Sequence, residues 1–314
     1  MGTYILRRLM TMIPTLFGVS LLLFVIFNVV GDDPVYLYLG RSATESEIAV
    51  LRSEMGLDKP LHIQYLVGMK DFLTFNWGFS MSAKAPIMDM FKEGVGPSLA
   101  ITFPALLLYS IVSIILGLVT AYWRGTWIDK GIVITATIGM SISYVAVMIF
   151  GQYFLAFLPF QWWGVAVFPI TGWEPPYIRY MLLPNLISTF VALGYDTRFF
   201  RSVAVEEMGK DYIRTAKAYG ADTKIILLKH VLKNILIPII ARVIVTFPFL
   251  IAGSFLLESF FVIPGLGYKL LHAIQSADYP VIKTFTLVIA FLVVVTNALA
   301  DILNSMVDPR VKLS

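Results

Sequence analysis

GIVITATIGMSISYVAVMIFGQYFLAFLPFQWWGVAVFPITGW, Gly131–Trp173, runs 43 residues without one Asp, Glu, Lys or Arg. A stretch this apolar has no face to offer water. About 20 residues at 1.5 Å rise cross the hydrocarbon core of a bilayer, so the stretch is too long for one crossing. Leu158-Pro159 supplies a natural stop, and the pattern predicts a span over about Lys130–Leu158. Working outward, Leu9–Val30 and Pro97–Trp123 precede it as charge-free runs of spanning length. Ile178–Phe199, Ile235–Leu257 and Val281–Met306 follow. The fourth is the most polar, with Pro184, Asn185 and Asp196, and the fifth holds Arg242. The expected fold is therefore all-α and membrane-integral, with six transmembrane helices.

Composition agrees. The chain of 314 residues is 58% hydrophobic and 14% charged, where soluble domains carry about 25% charged residues. Mean hydropathy is +0.80. There are no cysteines, which excludes disulfides, thiolate nucleophiles and cysteine metal sites. His62, His230 and His272 lack metal-ligand spacing. The net charge of +4 fits basic loops, and no basic stripe interleaved with aromatics suggests nucleic acid. The charge-free run after Arg7-Arg8 exceeds the apolar core of a secretory leader and no A-x-A site follows it, so it is read as a retained span. No carboxylate pair and no nucleophile with a base points to catalysis.

Orientation follows from short-loop lysines and arginines. With the N-terminus inside, 14 of the 24 Lys and Arg fall on the cytoplasmic side, eight of them from Arg198 at the end of span four to Lys233 ahead of span five. The expected arrangement is N-in and C-in. Residues 1–31 form the cytoplasmic start and first span, 32–96 an extracytoplasmic segment, and 97–306 a five-helix core. Its cytoplasmic loop covers about 201–233, and 307–314 are a cytoplasmic tail. The segment 32–96 reads as an ordered cap. Thr44 and Glu47 form a capping box ahead of a helix whose Ile48, Leu51 and Met55 share a face. Gly56 ends that helix, and Asp58-Lys59-Pro60 opens another with Pro60 in its first turn. Packing on the spans and a platform for an external partner are compatible roles for it.

The most informative stretch lies between spans four and five, from Arg201 to Asp222. Val205, Met208, Tyr212 and Ala216 recur near helical spacing, Gly220 suits a left-handed stop, and Asp222 or Thr223 suits the cap of a second helix. Ala216, Ala218 and Gly220 put small residues at the tip, where another backbone can approach. A basic amphipathic helix resting on anionic lipid is the competing reading.

This stretch resembles the EAA loop of ABC-importer permeases. Asp211 to Gly220 follows the D-Y-x-R-T-A-x-A-x-G form of the dipeptide/oligopeptide branch. The next pattern of that branch is matched by Lys229-His230, Leu232, Asn234, Leu236 and Pro238. The resemblance extends along the chain: Arg7-Arg8-Leu9, Gly31-Asp32-Asp33-Pro34, Gly56-Leu57-Asp58-Lys59-Pro60-Leu61 with Gln64-Tyr65, and Glu258, Phe261, Pro264, Gly265 and Gly267. Asp278-Tyr279-Pro280 and Asp301 with Asp308-Pro309-Arg310 complete it. Ser141-Ile142-Ser143 departs from the family, which often has a proline there.

The resemblance implies a type I importer permease in a bacterial or archaeal inner membrane. A second homologous permease subunit would complete the pathway, two ABC ATPase subunits would drive it, and an extracytoplasmic solute-binding protein would deliver cargo. The loop Val205–Asp222 would be the coupling helix, with Glu207, Asp211, Tyr212, Arg214, Thr215, Ala216, Lys217, Gly220 and Ala221 as docking residues. The chain has no G-x-x-x-x-G-K-[ST], so it carries no cofactor; ATP and Mg belong to the partner ATPases. Peptides are the expected cargo, with glutathione, nickel complexes or oligosaccharides as alternatives. An ion-coupled secondary transporter is the rival class; it tends to use inverted repeats and intramembrane carboxylates at broken helices, and the sequence shows neither pattern. Within the spans, Gln152, Asn185, Arg242, Asn297 and Asp301 are candidate pathway or helix-joining residues. Arg242 is expected to pair with Asp196 or snorkel.

Overall fold

The computed structural model describes residues 2–31, 34–39, 43–164, 167–252 and 254–307. Asp32, Asp33, Asp308, Pro309 and Arg310 of the quoted motifs, and most of the tail 307–314, lie outside the described residues. Helix α1 (Gly2–Val25) continues through a π-helical turn, Ile26–Val30. The short α2 (Pro34–Leu39), α3 (Glu45–Glu54) and α4 (Leu61–Leu73) build the cap with a two-residue hairpin, β1 (Phe79–Ser80) against β2 (Ala85–Pro86). The core then follows as α5 (Ile87–Tyr122), α6 (Trp127–Ser141), α7 (Tyr144–Gln152), a π-helical turn Tyr153–Phe157 and α8 (Leu158–Trp163). Next come α9 (Ile178–Met208), α10 (Asp211–Ala218) and α11 (Thr223–Ile225). The π-helical turn Ile226–Val231, α12 (Leu232–Ala252), α13 (Phe255–Phe261), α14 (Leu266–Gln275) and α15 (Tyr279–Val307) complete the order.

Four stretches among the described residues are long and apolar enough to cross a membrane: Met10–Val30, Ile87–Tyr122, Tyr144–Trp163 and Tyr279–Ile302. The expected fourth span lies in α9, whose 31 residues outrun the expected end at Phe199. Arg198, Arg201, Glu206 and Glu207 make its last turns polar. Most of the expected fifth, Ile235–Leu257, lies in the 21-residue α12, which ends at Ala252; the extended Ser254 places Phe255–Leu257 in α13.

The third span needs correction. Ile142 (ψ 134°) and Ser143 (ψ 134°) are extended and separate α6 from α7. The crossing stretch begins at Tyr144 and passes through Leu158-Pro159 to Gly164, which ends it at φ +62°. Proline is tolerated there because its missing N–H falls in the first turn after the π-helical turn. The helix break thus occurs without a proline: two extended residues suffice, and the Ser143 carbonyl accepts from Val147 N–H at 3.0 Å to start α7.

In the cap, the Thr44–Glu47 capping box forms as expected, and Gly56 turns the chain at φ +66°. Pro60 stands one residue ahead of α4 rather than inside its first turn. Tyr65 Oη and Ser20 Oγ hydrogen-bond at 2.7 Å, and Tyr65 packs edge-on against Phe17 and Phe24, which fixes α4 to α1. The hairpin is held by Asp278, one carboxylate oxygen of which accepts from Ser80 Oγ at 2.6 Å and from Ser82 Oγ and N–H at 2.7 and 3.0 Å.

Three apolar clusters hold the bundle. One joins Ile101, Met148, Leu183, Leu257 and Ile263 of the middle helices. The second joins Ile87, Leu266, Leu270, Val281 and Phe285 beside the cap. The third gathers Ala121, Phe200, Ala204, Ile213, Ile226, Val231 and Ile235 at the opposite end. Helices α5 and α9 form the most extensive pairing. Gly117 permits it, since a Cβ there would lie 2.9 Å from Phe200 Cβ. The motif glutamate Glu258 is fully buried and ties α5, α13 and α14 together. It accepts from Ser98 Oγ at 2.8 Å, Ser254 N–H at 3.1 Å and Tyr268 N–H at 3.0 Å.

Candidate functional site

The third cluster positions the segment singled out in the sequence. Helix α9 ends at Gly209, and Lys210, extended at φ −72°, ψ 152°, starts α10. The expected continuous helix over Val205–Ala216 is therefore two elements. Val205 and Met208 belong to the end of α9, while Tyr212 and Ala216 lie on α10. The turn at Gly209 redirects the chain so that eight residues form a separate short helix.

Its far end closes on a Schellman pattern. Gly220 N–H donates to Lys217 O at 2.9 Å and Ala221 N–H to Ala216 O at 3.1 Å. Gly220 sits at φ +80°, a region that costs a residue with a Cβ about 1–2 kcal/mol, although a Cβ there would meet nothing within 4 Å. Asp222 is the residue ahead of α11, as expected, but its side chain makes no cap bond.

One fully buried apolar residue, with Ala216 packed beside it, and one polar knot hold α10. Ile213 is 0% exposed and inserts among Phe200, Ala204 and Ile226. Glu207, 6% exposed, is the centre of the knot. It accepts from Tyr212 Oη at 2.5 Å and Asn234 Nδ2 at 2.9 Å, pairs with Lys210, and Asn234 Nδ2 also reaches Tyr212 Oη at 2.8 Å. The end of α9, the start of α10 and the start of α12 are thereby locked together. Burial penalises the charged Glu207 carboxylate, but Lys210, Tyr212 and Asn234 outweigh it and hold its pKa below the ordinary value. Burial, then the Glu207 carboxylate, pushes the Tyr212 phenol up to about 12.

The outer face of α10 is left open. Asp211, Arg214, Thr215, Lys217 and Gly220 are exposed, Ala216 and Ala221 are half-buried, and Tyr219 at the tip is 87% exposed. Arg214 and Asp211 form an exposed pair at 3.4 Å, of little energetic worth. The nine residues expected to act here thus divide. Glu207 and Tyr212 anchor the helix, Gly220 and Ala221 end it, and the rest present a surface.

Sequence reasoning missed four contributors. Lys210 and Asn234 complete the knot, and Asn234 stood in the quoted pattern without an assigned role. The other two are Arg201 and Asp129. Arg201 donates Nε and Nη2 to the two Asp129 oxygens at 2.7 and 2.9 Å, with Gly125 N–H adding 2.9 Å. Arg201, joined by the Gly125 N–H against the cost of burial, holds the Asp129 carboxyl below its usual range. This clamp ties the start of α6 to α9 two turns above the knot. Its sequence signal is an acidic residue alone among the basic Arg124 and Lys130.

The candidate intramembrane residues do not converge. Gln152 donates to Ile170 O at 2.8 Å and joins α7 to the following loop. Asn185 is buried in α9 with its Oδ1 unpartnered among the described residues. Arg242 pairs with Asp196 at 3.3 Å and lies 5.6 Å from the Phe199 ring, so the expected pairing is present. Asn297 is exposed and Asp301 half-buried on α15.

Comparison with known proteins fits this architecture. The family "Binding-protein-dependent transport system inner membrane component" matches residues 113–313, and its N-terminal counterpart matches residues 1–91. The chain is 32% identical over 335 residues to a dipeptide transport system permease protein, DppB, of Alkalihalophilus pseudofirmus, covering 99% of this chain and 100% of that one. It is 30% identical over 313 residues to a probable peptide ABC transporter permease protein, y4tP, of Sinorhizobium fredii, covering 99% and 100%. A glutathione transport system permease protein, GsiC, of Salmonella choleraesuis is 30% identical over 316 residues, with 99% of both chains covered. With apolar crossing helices and a short helix anchored outside them, the chain belongs to the family of binding-protein-dependent transport system inner membrane components and is a permease subunit of an ABC importer.

Proposed function

We propose that this chain forms half of the pathway of a peptide importer and receives its drive through α10. A second, homologous permease subunit completes the pathway. Two ATPase subunits bear the ATP and Mg, one of them seating against α10 and the Gly220 turn, and a solute-binding protein delivers cargo at the cap. Six spans with both termini inside place α10 and the cap on opposite sides. Di- or oligopeptides are the cargo, in keeping with the names of the relatives. Glutathione, itself a tripeptide, falls in the same class.

The observation that carries this reading is the construction of α10: rigidly rooted by Ile213 and the Glu207 knot, yet open along its outer face. A helix resting on lipid needs no such root. A lever needs one, because a push on the outer face must reach α9 and α12 without loss. The two states of the bundle then differ in free energy by what ATP binding contributes at that face.

Substitution at Gly220 is the test. Gly220→Asn keeps a residue tolerant of positive φ, and near-normal uptake and co-purification of the ATPases are expected. Gly220→Arg adds strain and bulk at the docking tip, and loss of uptake with the chain still inserted is expected. Equal, normal uptake by both variants would remove α10 from the coupling path.

A further inference from the structure

Two cavities lie side by side where the cap helix α4 meets α1 and α15. One, of about 370 Å³, has a polar wall that includes Asn28, Lys59, Gln64, Asp71 and Lys283. The other, of about 260 Å³, is lined by side chains of α1, α4 and α15 that are apolar except for Ser20 and the Tyr65 hydroxyl. Phe72 and Leu287 line both. They thus adjoin across these two side chains, one cavity polar and the other dry.

Lys283 defines the polar cavity. Its ammonium donates to Asn28 Oδ1 at 2.9 Å and lies 5.7 Å from the Phe24 ring centroid. Asn28 Nδ2 donates to Gln64 Oε1 at 3.3 Å, and Gln64 Nε2 donates to Leu57 O and Lys59 O at 3.1 and 2.8 Å. The chain of amides holds the ammonium in place without neutralising it. No carboxylate among the described residues pairs with Lys283, and an ammonium has three donors, of which one is spent. Among the described residues the lining carries Lys59 and Lys283 against Asp71, a net positive set. A half-buried cation at the head of a membrane helix calls for an anion.

Depth identifies the anion. Lys283 stands in the first turns of α15 and Asn28 in the last turn of the first span, the level at which headgroups meet hydrocarbon. Phe17 of α1 and Leu73 of α4, which line the dry groove, are exposed by 55% and 63%. We propose that these two cavities hold a glycerophospholipid, its phosphate on Lys283 and one acyl chain along the apolar groove of α1, α4 and α15. The net positive lining favours an anionic headgroup over a zwitterionic one. The lipid would add to the protein contacts, among them those of Tyr65, Phe72, Trp77 and Asp278, that fasten the cap to the bundle.

The test is lipid retention by the intact transport complex, purified in detergent with equal parts phosphatidylglycerol and phosphatidylcholine and weighed by native mass spectrometry. Each copy of this chain is expected to keep one phosphatidylglycerol in preference to phosphatidylcholine. Lys283→Gln is expected to lower that retention about ten-fold, the worth of one charge-assisted hydrogen bond, and Lys283→Arg to preserve it. Leu287→Trp fills the groove with Lys283 intact and is expected to lower retention of both lipids. Unchanged retention in Lys283→Gln overturns the proposal, as does displacement of the lipid by inorganic phosphate, which would make the site one for a free anion. If Lys283→Gln fails to assemble, the groove variant decides, and full retention by Leu287→Trp overturns the proposal.

Discussion

Glu207 is a buried carboxylate with three partners, Lys210 and Tyr212 at the start of α10 and Asn234 at the start of α12. Removing one leaves the others in place, so the losses are graded. Tyr212→Phe deletes two hydrogen bonds, one given to Glu207 and one accepted from Asn234, and is expected to cost about 2 kcal/mol with partial uptake. Glu207→Ala leaves Tyr212 and Lys210 without their acceptor and is expected to abolish coupling while the spans still insert. A double-mutant cycle with Asn234→Ala should show strong coupling between Glu207 and Asn234, whereas additive losses would mean that the knot does not act as a unit. The sign of the pH effect follows from the lowered pKa of Glu207. A carboxylate with a depressed folded pKa contributes stability that is present above its unfolded pKa and lost as pH falls through the folded one. Melting of the purified complex should therefore weaken on acidification below the ordinary carboxylate range, about 4, and this extra weakening should vanish in Glu207→Gln.

At the scale of the element, α10 has one fully buried apolar root. Ile213→Ala opens a cavity among Phe200, Ala204 and Ile226 and is expected to cost about 2–4 kcal/mol, enough to free a helix of eight residues. Raised hydrogen exchange confined to residues 210–222 would report it, and unchanged exchange would contradict the account. The break between α6 and α7 gives a second prediction. Ser143 has φ −58° and follows an extended residue, the geometry a proline demands. Ser143→Pro is therefore expected to fold and transport normally, with unchanged or slightly raised thermal stability, and a loss of folding would show that the backbone there is not fixed. These two elements mark the reach of the sequence. Charge-free runs, the Thr44–Glu47 capping box and the Gly220 turn were legible, because each is local and has one dominant cause. The break at Ile142–Ser143 was not, since no residue there forbids a helix and packing of α6 and α7 on α9 decides it. Likewise Pro159 read as a stop, because a π-helical turn just before it leaves no trace in residue type. The knot was half legible: Glu207 and Tyr212 lie in the loop, but Lys210 and Asn234 join only once α9 turns at Gly209.

At the scale of the whole molecule, the arrangement is a bundle with the cap at one end and α10 at the other, joined by the α5–α9 pair. The chain has no cysteine, so single cysteines report topology against a silent background. Ser46→Cys in the cap should react with an impermeant maleimide added to intact cells, and Ser202→Cys only after permeabilisation. Labelling of both from outside would overturn the N-in, C-in arrangement of six spans. The most direct measurement of the central claim is a photo-reactive residue in place of Tyr219, the side chain 87% exposed at the tip of α10. Irradiation of membranes bearing the complete transporter should join this chain to an ATPase subunit, with a yield that changes when ATP is added. Adducts with phospholipid alone, whether or not ATP is present, would contradict the account.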